Sequence, residues 1–199
     1  MLRKLLLATN NRAKVREYRS LLQGLPFELV TLAEQGITTA VREVGESLEE
    51  NARLKAVVLA AESQLVALAD DSGLEVDVLG GEPGHLSARY AGDRASDKER
   101  ISYLLARLKG IPWEKRSARF RCVIAIATPE GRIELCSGDC RGLITFEPRG
   151  KEGFGYDPIF YFPGLGKAFA DLSFDDKNRV SHRGKAAREV PSVLARLGL

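Results

Sequence analysis

This sequence predicts an α/β fold, a mixed β-sheet flanked by helices, on three observations. Leu5-Leu6-Leu7-Ala8 is a short continuous apolar run, as expected of a central strand buried on both faces. Apolar strand segments alternate with helical patterns through the first half of the chain. In the second half, Phe120 to Thr128 and Ile133 to Cys136 are β-rich and are joined by Pro129-Glu-Gly131, the pattern of an antiparallel hairpin.

After the first strand, Val15, Tyr18, Leu21 and Leu22 recur at helical spacing, and Gly24 and Pro26 supply the stop. Phe27 to Thr31 reads as a second strand. Ser47-Leu-Glu-Glu50 has the form of a capping box, opening a helix whose apolar face is expected along Leu54, Val57, Val58 and Ala61. That helix leads to a strand over Leu65 to Ala69. Ser96-Asp-Lys-Glu99 is a second capping box, starting a helix through Ile101, Leu104, Leu105 and Leu108 that Gly110 and Pro112 close.

With 199 residues, 44% hydrophobic and 29% charged, the chain is long enough to bury a substantial core. Without a linker or repeat, residues 1–199 are expected to form one domain, with two lobes around a cleft. The net charge of +3 excludes a strong global field for nucleic acid or an anionic membrane, so phosphate binding has to be local. No apolar run approaches the roughly 20 residues of a membrane helix. Met1 to Thr9 runs directly into a strand pattern without a signal-peptide region. Cys122, Cys136 and Cys140 are odd in number and contain no CxxC pair, which argues against a disulfide framework or structural zinc. A cytoplasmic location is expected.

Five segments can carry chemistry. Thr9-Asn-Asn-Arg-Ala-Lys14 lies where strand one turns into helix one, and free amides, a hydroxyl and an ammonium there make an anion site. It lacks the glycines of a Walker loop, and an ordinary N-cap explains the same residues. Ala69-Asp-Asp-Ser-Gly73 follows a buried strand; alternation puts Asp70 and Asp71 on opposite faces, so one is expected to line the cleft and the other to cap a turn at Gly73. Glu43, Glu46, Glu49 and Glu50 suit a helix dipole, but with Asp71 they also offer the hard oxygens that magnesium prefers. Glu43, ahead of the capped helix, is the one the dipole explains least. Gly153-Phe-Gly-Tyr-Asp-Pro158 offers the faces of Phe154 and Tyr156 for stacking on a base. Lys177 with Ser181-His-Arg183 adds donors, although such a run also reads as a wet face.

In this order, ATNNRAK, ENARLKA, ADDSGLEVDVLGG, SARYAG, GFGYDPIF and SHRGKA resemble the signature of the inosine/xanthosine triphosphate pyrophosphatase family, the non-canonical purine triphosphate pyrophosphatases, from Leu5 to about Arg188. The resemblance implies an elongated mixed sheet with two lobes around the substrate cleft, magnesium as cofactor, a homodimer, and hydrolysis of ITP, dITP or XTP between the α and β phosphates. It implies a phosphate loop on Thr9, Asn10, Asn11, Arg12, Ala13 and Lys14. The catalytic carboxylate falls on Asp71, which also binds metal with Glu43, and Ser72 touches substrate. Base recognition falls on Phe154, Gly155, Tyr156 and Asp157 with Lys177, His182 and Arg183. Arg183 carries only donors and so suits a 6-oxo purine, not the 6-amino group of adenine.

Two positions depart from the family pattern: Asn10 stands where glycine is usual and is expected in a glycine-like conformation, and Pro191 falls where the last helix should continue, so that it either starts a new turn or kinks that helix. The rival readings are a Maf-like pyrophosphatase acting on other nucleotides, and a non-catalytic nucleotide sensor or nucleic-acid module suggested by Lys115, Arg116, Arg119 and Arg121. The low net charge speaks against a stable nucleic-acid partner.

Overall fold

The computed structural model describes residues 2–199. The elements in order are β1 (Arg3–Leu7), α1 (Arg12–Leu21), β2 (Phe27–Thr31), α2 (Leu48–Ser63), β3 (Val66–Val76), β4 (Pro83–Gly84), α3 (Asp97–Arg107), β5 (Ser117–Ala127), β6 (Ile133–Ile144), β7 (Phe160–Phe162), β8 (Lys167–Ala168), α4 (Phe174–Val180), α5 (His182–Arg188) and α6 (Val190–Arg196). The sheet has eight strands in the order β2-β1-β3-β5-β6-β7-β8, with β4 paired to β3 off that path. β1 is parallel to β2 and β3, whereas β4, β7 and β8 pair antiparallel with their neighbours, so the sheet is mixed as expected. The parallel pairs follow from α1 and α2, which supply the crossovers that parallel neighbours need.

The chain divides into two compact units: 1–71, 122–138 and 183–199 in the first, and 72–121 and 139–182 in the second. The first unit has two apolar layers. Leu5, Leu7 and Leu68 pack with Tyr18, Leu22, Val190, Val193 and Leu194. Leu6, Ala67 and Ala69 pack with Leu48, Ala52, Ala56, Leu59 and Ala60. Alternation along a strand covered on both faces accounts for the unbroken apolar run. In the second unit Leu74, Val76, Leu104, Leu108, Phe120, Phe160 and Phe169 form a third cluster.

Three local expectations are corrected. β3 does not end at Ala69 but runs on to Val76, and Gly73 makes no turn. Gly73 is required because a Cβ there would collide with the carbonyl of Gly84 on the paired strand β4. The buried face of α2 is Leu48, Asn51, Ala52, Ala56, Leu59 and Ala60, while Val57 and Val58 are exposed. Residues 56–61 are apolar all round, so periodicity alone cannot orient the helix. Ser47 caps α2 by accepting from the Glu50 amide, but Glu50 bonds the Glu46 amide, so the reciprocal box is not formed. At α3 the box is complete. Pro191 sits in the first turn of a separate helix, α6, where its missing N–H is harmless.

Candidate active site

The start of α1 is set by Asn11, whose Oδ1 accepts from the amides of Ala13 (2.9 Å) and Lys14 (3.2 Å), while Thr9 Oγ1 accepts from the Asn11 amide. Asn10, Asn11 and Arg12 are exposed around this turn. Among the described residues only Gln64 combines a side chain with positive φ, so Asn10 holds an ordinary backbone and the glycine-like conformation expected of it is not adopted. Lys14 lies one turn into the helix, with Nζ 3.0 Å from Asp70 Oδ1.

Asp70 and Asp71, successive residues of β3, are drawn to opposite faces of the strand. Asp70 takes Lys14 and, at 3.3 Å, both Nε and Nη2 of Arg183, which in turn holds Glu17 at 2.6 Å. Burial would raise the Asp70 carboxyl, but Lys14, Arg183 and Lys55 outweigh it and hold it well below the usual carboxylate range. Asp71 accepts from Asn51 Nδ2 at 3.2 Å and lies 3.5 Å from Lys55 Nζ on α2. Burial, reinforced by Glu43 and Asp70, raises it despite Lys55 and Lys14. The sequence therefore places two adjacent carboxyls in environments that push their acidities apart.

Glu43 joins this group through Lys55, whose Nζ donates to Glu43 Oε1 at 2.7 Å and to the Asp70 carbonyl at 2.6 Å. Burial pulls the Lys55 ammonium down, but Asp71, Asp70 and Glu43 overcome it and keep it charged. Glu43 and Asp71 thus already converge on one cationic centre. Among the described residues no group of three His, Cys, Asp or Glu could hold a metal. Two carboxylates fit a hard divalent cation that keeps its remaining positions for water and phosphate oxygens. Ser72 follows Asp71 on β3 and is half-buried.

The second unit holds the aromatic segment. Asp157 Oδ2 accepts from the Phe154 amide (2.8 Å) and from Lys177 Nζ (2.6 Å), and Lys177 lies 4.8 Å from the centre of the Phe154 ring. Gly153 and Gly155 both have positive φ, and a Cβ at Gly153 would strike the Asp157 carboxylate. Phe154 is half-buried. Tyr156 is buried: its ring is core, and its hydroxyl donates to the Ser87 carbonyl at 3.0 Å. His182 stacks on Phe120 at 4.6 Å. Phe154, Gly155, Asp157 and Lys177 are brought together as expected, while Tyr156 serves as their anchor.

Arg183 departs most from expectation. It is 2% exposed in the first unit, with Nε, Nη1 and Nη2 all committed to Asp70 and Glu17. A guanidinium so engaged orders carboxylates, a placement the sequence did not suggest. Sequence reasoning also passed over Glu17, Asn51 and Lys55. Asn51 Oδ1 accepts from the Gly45 amide at 2.8 Å, which ties the Glu43 loop to the residue that holds Asp71. The signal was present: Asn51 and Lys55, four apart, are polar on the buried side of α2, and Glu17 follows Lys14 by three.

A model of the Ham1 family matches residues 5–192 of the chain. The chain belongs to the Ham1 family. It is 48% identical over 194 residues to a protein of Desulforamulus reducens named dITP/XTP pyrophosphatase, covering 98% of this chain and 96% of that one. A protein of the same name from Thermus thermophilus is 50% identical over 185 residues, covering 93% and 88%. The solved HAM1 protein from Coxiella burnetii superposes with a TM-score of 0.88 at 41% identity, covering 98% of this chain and all 100% of that one. The Staphylococcus aureus Ham1 structure gives 0.86 at 37%, covering 97% and 98%. The Ham1 match spans both carboxylates, α2 and the aromatic segment.

Proposed function

We propose that this chain is a magnesium-dependent pyrophosphatase that hydrolyses ITP, dITP and XTP to the monophosphate and pyrophosphate, keeping these purines out of DNA and RNA. The observation that carries the reading is the Asp70–Asp71 pair, because adjacent carboxyls with separated acidities divide the roles of fixed anion and proton acceptor. The named relatives act in the same sense.

Asp70, ionised at any working pH, holds Lys14 at 3.0 Å beside the start of α1, where triphosphate oxygens are met. Glu43 and Asp71 would hold magnesium. The chemistry magnesium supplies when bound is charge neutralisation on the phosphates and acidification of water. Asp71 takes the proton of the attacking water as its oxygen bonds to phosphorus and the bond to pyrophosphate breaks. Lys55 keeps the two carboxylates together before the cation arrives.

Phe154 stacks on the base, with Gly155 and Asp157 shaping the loop. Lys177, held by Asp157, has donors only and suits a 6-oxo acceptor better than a 6-amino donor. A buried unmatched donor costs about 1–3 kcal/mol, enough to disfavour ATP. Residues 1–199 act as one catalytic domain, in a cytoplasmic homodimer. Among the described residues no helix is long and apolar enough to cross a membrane. The basic segment does not favour nucleic acid: Arg116 is buried against four backbone carbonyls, and Arg119 and Arg121 pair with Glu75.

The test is pyrophosphate release from ITP, XTP, ATP, GTP and dTTP, with magnesium and with chelator. Fast, metal-dependent release from ITP and XTP is expected. Preference for dTTP would instead support the Maf-like rival, and binding without release would support a sensor.

A further inference from the structure

The SARYAG segment and the start of α3 play no part in the chemistry above, yet two consecutive residues of the aromatic loop are fastened to them. Tyr156 donates to the Ser87 carbonyl, and Ser87 is itself fixed, its Oγ accepting from the Leu74 amide (2.8 Å) and donating to the Gly84 carbonyl (2.6 Å). The Gly155 amide donates to Asp97 Oδ2 at 2.7 Å. Asp97 is the first residue of α3, but the helix does not use it as a cap: Ser96 accepts from the Glu99 amide, and Glu99 accepts from the Ser96 amide at 2.7 Å. Asp97 Oδ1 is instead bonded by Arg100, whose Nη1 reaches the carbonyls of Ala88 (2.6 Å) and Ala95 (2.8 Å).

Gly155 has φ of +61°, a conformation glycine visits at little cost but does not hold by itself. The next amide towards the N-terminus, that of Phe154, is held from within the loop by Asp157. We propose that Asp97 is a positioning residue for nucleobase recognition, holding the Phe154–Asp157 loop from outside through the Gly155 amide so that the Phe154 ring and Lys177 are presented ready-formed to the base. The proposal rests on the reading of this loop as the base site. A carboxylate–amide hydrogen bond is among the stronger kinds, and a pre-ordered loop saves its ordering entropy on binding.

The test compares Asp97→Ala, Asp97→Asn and Glu99→Ala, the last loosening the same helix start without touching Gly155. Steady-state kinetics on ITP are measured with amide hydrogen exchange at Gly155. Asp97→Ala is expected to raise KM about ten-fold with kcat within about two-fold, and to speed exchange at Gly155 selectively. Asp97→Asn, which keeps an acceptor oxygen, should recover most of the KM, and Glu99→Ala should lower the melting temperature while leaving KM alone. Unchanged KM in Asp97→Ala, or an equal rise in Glu99→Ala, overturns the proposal. Should Asp97→Ala fail to fold, amide exchange at Gly155 in the wild-type protein decides it: protection is expected, and exchange as fast as in an unfolded chain overturns the tether. If the wild-type protein releases no pyrophosphate from ITP, the functional reading fails, and retained protection of Gly155 in Asp97→Ala would separately refute the tether.

Discussion

Arg183 shows how far a single residue's role depends on its partners. It lies among Asp70, Glu17 and the ring face of Tyr18, with burial opposing its charge and Asp70 and Glu17 restoring it. Arg183→Ala takes the guanidinium from buried Glu17 and leaves buried Asp70 to Lys14, a loss of about 3–5 kcal/mol. Urea unfolding of the variant checks this; a loss near zero would mean that the network is dispensable. Asp70 gives the pH dependence. Its folded acidity lies below the ordinary value of 3.8, so its contribution is complete above that value and is lost as pH falls from there towards the folded pKa. Acid titration of the metal-free protein should show this, and Asp70→Asn should flatten the curve in that window.

At the level of elements, α2 has a test of its own. Val57 and Val58 face outward while Ala52, Ala56 and Ala60 are buried against β1 and β3. Val57→Ser should change stability by no more than about 0.5 kcal/mol, whereas Ala56→Asp buries an unpaired charge and should prevent stable folding. Far-ultraviolet circular dichroism during thermal melting separates the two, and the reverse order would mean that the helix is rotated. The sequence made the helix legible through Ser47 and the apolar run, but not its face, because the apolar residues encircle it. Helix α3 is the opposite case: Ile101, Leu104 and Leu108 are spaced on one side only, and all three are buried as expected.

For the whole molecule, the carboxylate cluster sets stability against function. Asp71 is raised above the ordinary carboxylate value by burial first, so its ionised form is disfavoured in the fold and stability falls as pH rises from 3.8 through its folded pKa. Asp71→Asn should therefore abolish turnover yet raise the melting temperature of the metal-free protein at neutral pH. Magnesium at about 100 times its Kd should stabilise the wild type by about 2.7 kcal/mol and the variant far less. Thermal melts with magnesium and with chelator check both; equal stabilisation of the two proteins would remove Asp71 from the metal site.

The sequence by itself determined the strand–helix alternation, the caps at Ser47 and Ser96, and the ordered set of motifs that carries the family resemblance. Each of these depends on neighbours a few residues apart or on a pattern repeated along the chain. Only the tertiary structure decided which groups share a charge. It set Asp70 with Lys14 and Arg183, Asp71 with Lys55 and Asn51, and Gly155 with Asp97, partners separated by 56, 113, 20 and 58 residues for Lys14–Asp70, Asp70–Arg183, Asn51–Asp71 and Asp97–Gly155. The acidity of a buried carboxyl depends on its distance from opposite charge and on its loss of water, and both are properties of the packed chain that no local pattern encodes.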